Sequence, residues 1–174
     1  MDGSFSSLAY NPIAKKLIYR FKYKPFLLDL QSLLSELFYE GLIQNETLAK
    51  DLKNAILVPI PLHSSKLRSR GYNQAEILAK GLSERLGIPT LNLLRRVKNT
   101  KTQFSLGKKE RTKNMKGAFR LNSEFIIHNS EFRKMTIFLV DDILTSGSTL
   151  SEAANVLKRA GAGKVFGLTL AREQ

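Results

Sequence analysis

The residues from Ile137 to Thr149, IFLVDDILTSGST, decide the fold class and most of the candidate site. Residues 136–140 form a short apolar run with β-branched and aromatic side chains, which is typical of a buried strand. Asp141 and Asp142 follow this run directly, and a turn of small hydroxyl residues around Gly147 comes next. The stretch therefore predicts a buried strand that ends in a polar loop.

The aspartate pair is the first chemical signal. Neighbouring carboxylates repel each other and are costly to bury unless cations or hydroxyl donors meet them. In open α/β sheets, ligands bind outside the carboxyl ends of the strands, which is where this pair is predicted to lie. We therefore expect a polar ligand with hydroxyl groups, and we take Asp141 and Asp142 as the candidate catalytic residues.

The turn that follows, Thr145-Ser146-Gly147-Ser148-Thr149, is the second signal. Small hydroxyl residues around a glycine at a helix start present backbone N–H groups, side-chain hydroxyls and the helix dipole to an anion. The simpler alternative is that Ser148 or Thr149 only caps the helix. Carboxylates for sugar hydroxyls beside a nest for one phosphate favour a ribose 5-phosphate as ligand.

The elements around this stretch predict the fold. Apolar runs at 55–58 and 165–170 predict two further strands, and helical spacing predicts helices at 73–86 and 148–159. Strands that alternate with helices indicate an α/β fold with a central, mostly parallel, twisted sheet and flanking helices. Residues 119–128 predict a hairpin that turns near Asn122 and Ser123.

Residues 1–53 are predicted to form a small helical cap or hood, and residues 54–174 the core domain. Asn11 and Pro12 are typical of a helix start, an apolar stripe continues to Phe21, and Pro25 ends the helix. A second helix is predicted from about Leu27 to Gly41.

Two basic segments are candidates for binding a diphosphate. The loop after Val58-Pro59-Ile60-Pro61 offers hydroxyls and cations suited to a pyrophosphate, namely Ser64, Ser65, Lys66, Arg68 and Arg70. His63, in the same loop, is expected to make a structural hydrogen bond rather than to act as an acid or base. The segment from Arg95 to Arg120 holds ten basic residues against one acid. It predicts a mobile loop that closes over a diphosphate or tracks a nucleic-acid backbone, with Lys101, Gln103, Lys108, Lys109 and Arg111 as candidates.

Composition limits the classes of partner. The 174 residues include 28 Lys and Arg against 15 Asp and Glu, a formal net charge of +13, which favours a polyanionic ligand. The chain has no cysteine and only two histidines, so a thiolate zinc site or a histidine metal cluster is excluded and no protein-held metal is expected. No apolar run approaches the roughly 20 residues of a spanning helix and no secretory signal is present, so we expect a cytoplasmic protein without a membrane partner.

The residues 137–149 resemble, at each position, the phosphoribosyl-diphosphate signature of class I phosphoribosyltransferases. The resemblance implies that Asp141 and Asp142 bind the ribose hydroxyls and that Thr145 to Thr149 enclose the 5-phosphate. It also implies a Mg²⁺ ion held on the diphosphate of the substrate rather than in a cage of protein ligands.

Flanking motifs narrow the resemblance to the ComF branch, the late-competence proteins of DNA uptake. These motifs are Val58-Pro59-Ile60-Pro61, Arg70-Gly71-Tyr72-Asn73-Gln74, Thr100-Lys101-Thr102-Gln103 and Gly117-Ala118-Phe119, and the similarity spans about Tyr10 to Arg172. Two departures stand out: the sequence lacks the cysteine-rich zinc ribbon with which members often begin, and Thr102 stands where proline is common.

The resemblance implies a phosphoribosyltransferase that displaces pyrophosphate with an unknown acceptor and works with competence proteins. The alternative is a non-enzymatic protein that handles single-stranded DNA or senses the metabolite with the same pocket. A repressor is disfavoured because no helix-turn-helix pattern is found in the first fifty or so residues. The sequence leaves the acceptor, turnover and oligomeric state open.

Overall fold

The computed structural model describes residues 1–23, 30–45, 48, 52, 54–100, 108–122 and 132–173. Over these residues the chain forms, in order, β1 (Gly3–Ala9), α1 (Pro12–Lys22), α2 (Leu30–Ile43), β2 (Ala55–Pro59), α3 (Ser64–Arg70), α4 (Gln74–Leu86), β3 (Leu94–Arg96), α5 (Lys108–Met115), β4 (Phe119–Leu121), β5 (Thr136–Leu144), α6 (Ser148–Arg159) and β6 (Lys164–Arg172). Within these ranges no helix is long and apolar enough to cross a bilayer.

Four strands form one parallel sheet in the order β1-β6-β5-β2. β5 is central: it pairs with β2 from Ala55↔Thr136 to Pro59↔Val140, and with β6 on its other side. β3 and β4 form a separate antiparallel pair. The predicted α/β fold with a central parallel sheet and flanking helices is therefore confirmed.

Helices cover both faces of the sheet because successive residues of a strand point to opposite sides. Ile137 and Leu139 of β5 pack in one apolar cluster with residues of α6, among them Leu150, Ala153 and Leu157. Phe138 and Val140 pack in a second cluster with residues of α1, α2 and α4, among them Ile18, Phe21, Leu34, Phe38, Leu78 and Leu82. Each such side chain contributes about 1.5–3 kcal/mol on burial.

β1 is an edge strand that the sequence analysis did not predict. It pairs in parallel with β6 from Gly3↔Phe166 to Ala9↔Arg172, and the hydroxyls of Ser6 and Thr169 hydrogen-bond at 2.6 Å. Residues 1–53, predicted as a separate helical cap, thus contribute a strand to the sheet and two helices to its core. The division at residue 53 stays a prediction.

The segment Ser64–Arg70 is a helix, α3, rather than the predicted loop. The His63 side chain caps its first turn by accepting from the Ser65 backbone N–H, and Gly71 ends it in the left-handed conformation with φ of 88°. A side-chain acceptor at the N-cap starts a helix and a left-handed glycine ends one, although histidine is not among the preferred N-cap residues. This helix orients the basic residues of the segment along its faces.

The other predicted elements are found where the structure describes them. The helix predicted at 73–86 is α4, capped by Asn73, and the second N-terminal helix begins at Leu30 as α2. β4 coincides with the first arm of the predicted hairpin, but it pairs with β3. Residues 123–128, which include His128, lie outside the described residues.

Candidate functional site

A cleft of about 530 Å³ lies at the carboxyl ends of the parallel strands. Its walls come from the ends of β5 and β6, the start of α6, the helix α3, the end of α1, and residues near β3 and α5. This is the edge at which ligands bind in open α/β sheets. Asp141 and Asp142 both line it.

The two aspartates are aimed at different walls of the cleft by strand alternation. Asp142 continues the face of Phe138 and Val140, which packs on α1 and α2. Its side chain is only 3% exposed, and its Oδ2 lies 2.5 Å from the Nζ of Lys22, the last residue of α1. The sequence analysis did not place Lys22 at this site, because a lysine at the end of a predicted helix carries no motif that puts it beside a distant strand.

Asp141 has an environment that disfavours its charge. Burial, together with the neighbouring carboxylate of Asp142, raises the pKa of Asp141 to about 7, although the nearby Lys22 ammonium works in the opposite direction. Its Oδ1 accepts a hydrogen bond from the Asp142 backbone N–H at 2.9 Å. The site thus disfavours a second negative charge beside Asp142 in the absence of a ligand.

The predicted phosphate turn lies directly beside the aspartates. Thr145, Gly147 and Thr149 line the cleft, and Gly147 adopts φ of 73° at the N-cap of α6. The hydroxyls of Ser146 and Ser148 hydrogen-bond to each other, and the Ser148 backbone N–H donates to Ser146 Oγ at 3.4 Å. The glycine lets the chain turn so that the first N–H groups of α6 and the positive end of its dipole face the cleft.

The helix α3 places some of the predicted pyrophosphate-binding residues at the cleft and leaves the others exposed to solvent. Ser65, Lys66 and Arg70 line the cleft, together with Ser69, which was not predicted. Ser64 and Arg68 are exposed on other faces of the helix. His63 hydrogen-bonds Ser65 Oγ at 2.8 Å and caps α3, which is the structural role expected for it.

Arg96 of β3, which belongs to the basic segment 95–120 but was not among its candidate residues, lies next to Lys66. Burial lowers the pKa of both groups, and the positive charges of Arg96, Arg70 and Lys22 lower that of Lys66 further. Lys66 Nζ donates to the Thr100 carbonyl at 3.1 Å. These cleft-lining cations, Lys66, Arg70 and Arg96, form a cation wall that a multiply charged anion would stabilise.

Two tyrosines add an aromatic part to the lining of the cleft. Tyr10, just after β1, and Tyr23, just after α1, both line it. The guanidinium of Arg70 lies 5.6 Å from the centre of the Tyr23 ring, so this aromatic lining is next to the cation wall.

The predicted mobile basic loop is described only in part. Lys101 and Gln103 lie outside the described residues, as do the side chains of Lys108 and Lys109. Arg111 of the helix α5 lines the cleft, and its guanidinium lies 3.8 Å from Glu173, just after β6. The described part of the segment thus brings two cations to the cleft, Arg96 of β3 and Arg111 of α5.

Residues 67–173 match the phosphoribosyl transferase domain family, a match over more than half of the chain. The chain belongs to this family. The matched range contains the aspartate pair, the phosphate turn and most of the cation wall.

Curated relatives place the chain among ComF-type members of this phosphoribosyl transferase family. It is 41% identical over 117 residues to Competence protein F of Haemophilus influenzae, an alignment that covers 67% of this chain and 49% of that protein. It is 33% identical over 177 residues to Competence protein ComFC of Bacillus subtilis (96% and 63%) and 33% identical over 157 residues to DNA utilization protein YhgH of Escherichia coli (90% and 66%). The resemblance to ComF proteins is confirmed, and the chain spans about half to two thirds of the length of these relatives.

Proposed function

We propose that this protein binds 5-phosphoribosyl diphosphate in the cleft and transfers its phosphoribosyl group to an acceptor, with release of pyrophosphate, in a process linked to DNA uptake. The observation that carries the proposal is the convergence of the aspartate pair, the phosphate turn and the cation wall on one cleft. These three groups match the three chemical parts of the ligand: ribose hydroxyls, 5-phosphate and diphosphate. The ComF-type relatives, named for competence and DNA utilization, support the link to DNA uptake.

The sugar and its 5-phosphate are held by the β5–α6 segment. Asp141 and Asp142 accept hydrogen bonds from the ribose hydroxyls, and the N–H groups and hydroxyls of Thr145 to Thr149 surround the phosphate. Because the turn follows directly after the strand that carries the aspartates, one continuous segment fixes both the sugar and its 5-phosphate.

The cation wall takes the diphosphate. Lys66, Arg70 and Arg96 neutralise the negative charge that grows on the leaving group as the bond between C1 and oxygen breaks. A Mg²⁺ ion bound to the diphosphate would supply further neutralisation. Among the described residues no group of three or more acidic or histidine side chains is placed to hold a metal.

The acceptor enters from the side of Tyr10 and Tyr23. Displacement at C1 requires the nucleophile to approach opposite the departing diphosphate, and Tyr10 and Tyr23 supply an aromatic lining against which an acceptor can pack. The acceptor lone pair forms the new bond to C1 while the diphosphate leaves with the electron pair of the old one. Asp141 and Asp142, held against the sugar, stabilise the positive charge that develops on the ribose.

Isothermal titration calorimetry with phosphoribosyl diphosphate and Mg²⁺ tests the proposal. We expect saturable binding that falls at least about 100-fold in a protein carrying both Asp141→Asn and Asp142→Asn, since two charge-assisted hydrogen-bond acceptors are lost. The control is Glu84→Gln, a carboxylate of α4 that does not line the cleft. Absence of binding to the unmodified protein, or equal binding to the double variant, would contradict the proposal.

A second candidate function, binding of single-stranded nucleic acid, is favoured by the exposed side of α1. Lys15, Lys16 and Arg20 are exposed there, and the rings of Tyr19 and Tyr23 lie 4.7 Å apart. Cations beside aromatic rings suit a phosphate backbone with stacked bases. This function uses the surface of α1 and, through Tyr23, reaches the edge of the cleft.

Fluorescence anisotropy with a labelled single-stranded oligonucleotide tests this second function. Affinity should fall steeply as salt rises, and substituting Lys15, Lys16 and Arg20 by Gln should flatten the dependence on salt. The control variant replaces Lys80, Arg85 and Lys158, which lie on other helices. Binding that does not depend on salt, or that responds equally to both variants, would refute the role of α1.

A further inference from the structure

Lys22 is a charged group of the cleft to which the proposed transfer assigns no role. It is the last residue of α1, its side chain is 16% exposed, and its Nζ lies 2.5 Å from Asp142 Oδ2. Burial alone would lower the pKa of Lys22, but the charges of Asp142 and Asp141 outweigh it and raise that pKa. The ammonium is thus a buried counter-ion of the aspartate pair.

Other charged and titratable groups face this pair from each element packed around it. Tyr10 follows β1 and Tyr23 follows α1, while Glu173 follows β6 and has its charge in range of Tyr10. Arg96 of β3 acts on Asp141, and Lys66 of α3 lies within range of Lys22. Only Lys22 makes an ion pair with either aspartate among the described residues.

The ion pair makes the two carboxyls unequal. Two adjacent carboxylates without a cation share one proton over a wide pH range. Lys22 contacts Asp142 and not Asp141, so the negative charge is stabilised on Asp142, and the proton that the pair takes up as the pH falls goes to Asp141. While the pair takes up this proton, Asp142 therefore remains an ionised acceptor in a fixed position for a sugar hydroxyl.

Building on the proposed sugar site, we propose that Lys22 is a positioning residue: its ammonium keeps Asp142 ionised and fixed beside the cleft, and thereby confines protonation of the aspartate pair to Asp141. Lys22 acts through Asp142 and does not itself contact the reacting atoms. A purely structural role, in which the ion pair only attaches α1 to the sheet, predicts the same loss of stability on substitution but no change in how the aspartates titrate.

The test is a ¹³C NMR titration of the Asp141 carboxyl in the full chain without ligand. In the unmodified protein the midpoint should lie near pH 7. In Lys22→Met it should rise by at least about one pH unit, because an opposite charge next to the pair is lost. Lys22→Arg, which keeps the charge, should restore the lower midpoint, and Lys16→Met, an exposed lysine of the same helix, should leave it unchanged.

An unchanged midpoint in folded Lys22→Met would overturn the proposal. If that variant does not fold, the proposal can be tested in the unmodified protein through the ¹⁵N chemical shift of Lys22 Nζ. This shift should change at the pH at which Asp141 titrates. A shift that does not change there would also overturn the proposal. Neither readout needs a ligand, so a failure here is distinct from a failure of the proposed function.

Binding of phosphoribosyl diphosphate with Mg²⁺, measured by calorimetry from pH 5.5 to 9, extends the test to the ligand. Affinity should fall below the midpoint of Asp141, by up to about tenfold per pH unit, and in Lys22→Met the fall should begin at a correspondingly higher pH. A uniform loss of affinity at every pH in Lys22→Met would assign Lys22 a structural role instead.

Discussion

Arg96 and Phe119 are register partners across the β3–β4 pair, and the Arg96 guanidinium lies 5.4 Å from the centre of the Phe119 ring. Its Nη2 donates to Thr100 Oγ1 and approaches Met115 Sδ at 3.5 Å, while its Nε is buried with no hydrogen-bond partner in the described part of the chain. A buried guanidinium with a spare donor at the edge of a cleft is stabilised by an anion bound there.

Arg96→Met should weaken binding of pyrophosphate and of phosphoribosyl diphosphate by about 10- to 100-fold, since a hydrogen bond to a charged group is worth about 1.5–3 kcal/mol. Binding of ribose 5-phosphate, which lacks the diphosphate, should change little. Calorimetry with the three ligands checks this. Arg95→Met is the matched control, because Arg95 is the exposed neighbour on the same strand; equal losses in both variants would show a general charge effect.

Arg70→Met should weaken diphosphate binding, whereas Arg68→Met should have little effect beyond long-range charge. Both residues belong to α3, but only Arg70 lines the cleft, where it hydrogen-bonds Gln74 and stacks on Tyr23. We expect about a tenfold loss for Arg70, equivalent to one charge-assisted contact. Competition between pyrophosphate and phosphoribosyl diphosphate measures it, and a larger effect of Arg68 would contradict the placement of α3.

Gly147→Ala should destabilise the fold by about 1–2 kcal/mol, because Gly147 has φ of 73° and a side chain is strained in that conformation. It should also weaken binding of ribose 5-phosphate by disturbing the phosphate turn. Gly87→Ala provides the comparison, since Gly87 has φ of 67° at the end of α4, away from the cleft. Urea denaturation should show similar losses of stability for the two variants. Calorimetry should show weaker binding of ribose 5-phosphate for Gly147→Ala and not for Gly87→Ala.

Asp141→Asn should stabilise the protein without ligand above neutral pH. The folded state holds a proton on Asp141 up to about pH 7, whereas the unfolded chain releases it near the ordinary value of 3.8. The native state therefore binds more protons between these values, and the free energy of unfolding falls as the pH rises from about 4 to about 7. Because Asp141 is partly open to solvent, we expect this loss to be about 1–2 kcal/mol.

Urea denaturation at pH 4.5, 6 and 8 measures this difference between the unmodified protein and Asp141→Asn. The gain of the variant should grow with pH. Asp142→Asn should instead destabilise the protein by up to about 3 kcal/mol, because it leaves the Lys22 ammonium without its ion pair. If Asp141→Asn is no more stable than the unmodified protein at pH 8, then the charge of Asp141 does not destabilise the folded state.

Local signals in the sequence predicted the part of the site that lies on one continuous segment. The apolar run before Asp141, the glycine of the turn and the amphipathic helix after it are each encoded within a few residues, and β5 and α6 form as predicted. The strands β2 and β6 and the helix α4 were also predicted, because their apolar patterns and the capping residues of α4 are equally local signals.

Features that depend on distant partners were not predicted. β1 contains small polar residues such as Ser4 and Ser6, and it is a strand because the open edge of β6 pairs with it. Lys22 and Arg96 reach the cleft only once α1 and β3 have packed around β5, so their place in the site could not be predicted, although Arg96 belongs to the basic segment 95–120. The helix α3 is the exception, because its signals are local: the cap His63 and the terminating Gly71 are adjacent to it in the sequence. The sequence analysis nevertheless predicted a loop, because it gave more weight to the basic residues between these two positions.

The most direct test of the account is a crystal structure of the protein soaked with phosphoribosyl diphosphate and Mg²⁺. We predict density for the ligand in the cleft, with its ribose hydroxyls within hydrogen-bond distance of Asp141 and Asp142, its 5-phosphate at the N–H groups of residues 145–149, and its diphosphate beside Lys66, Arg70 and Arg96. Density for the metabolite at another surface, or an empty cleft in a crystal that holds it at saturating concentration, would contradict the central claim.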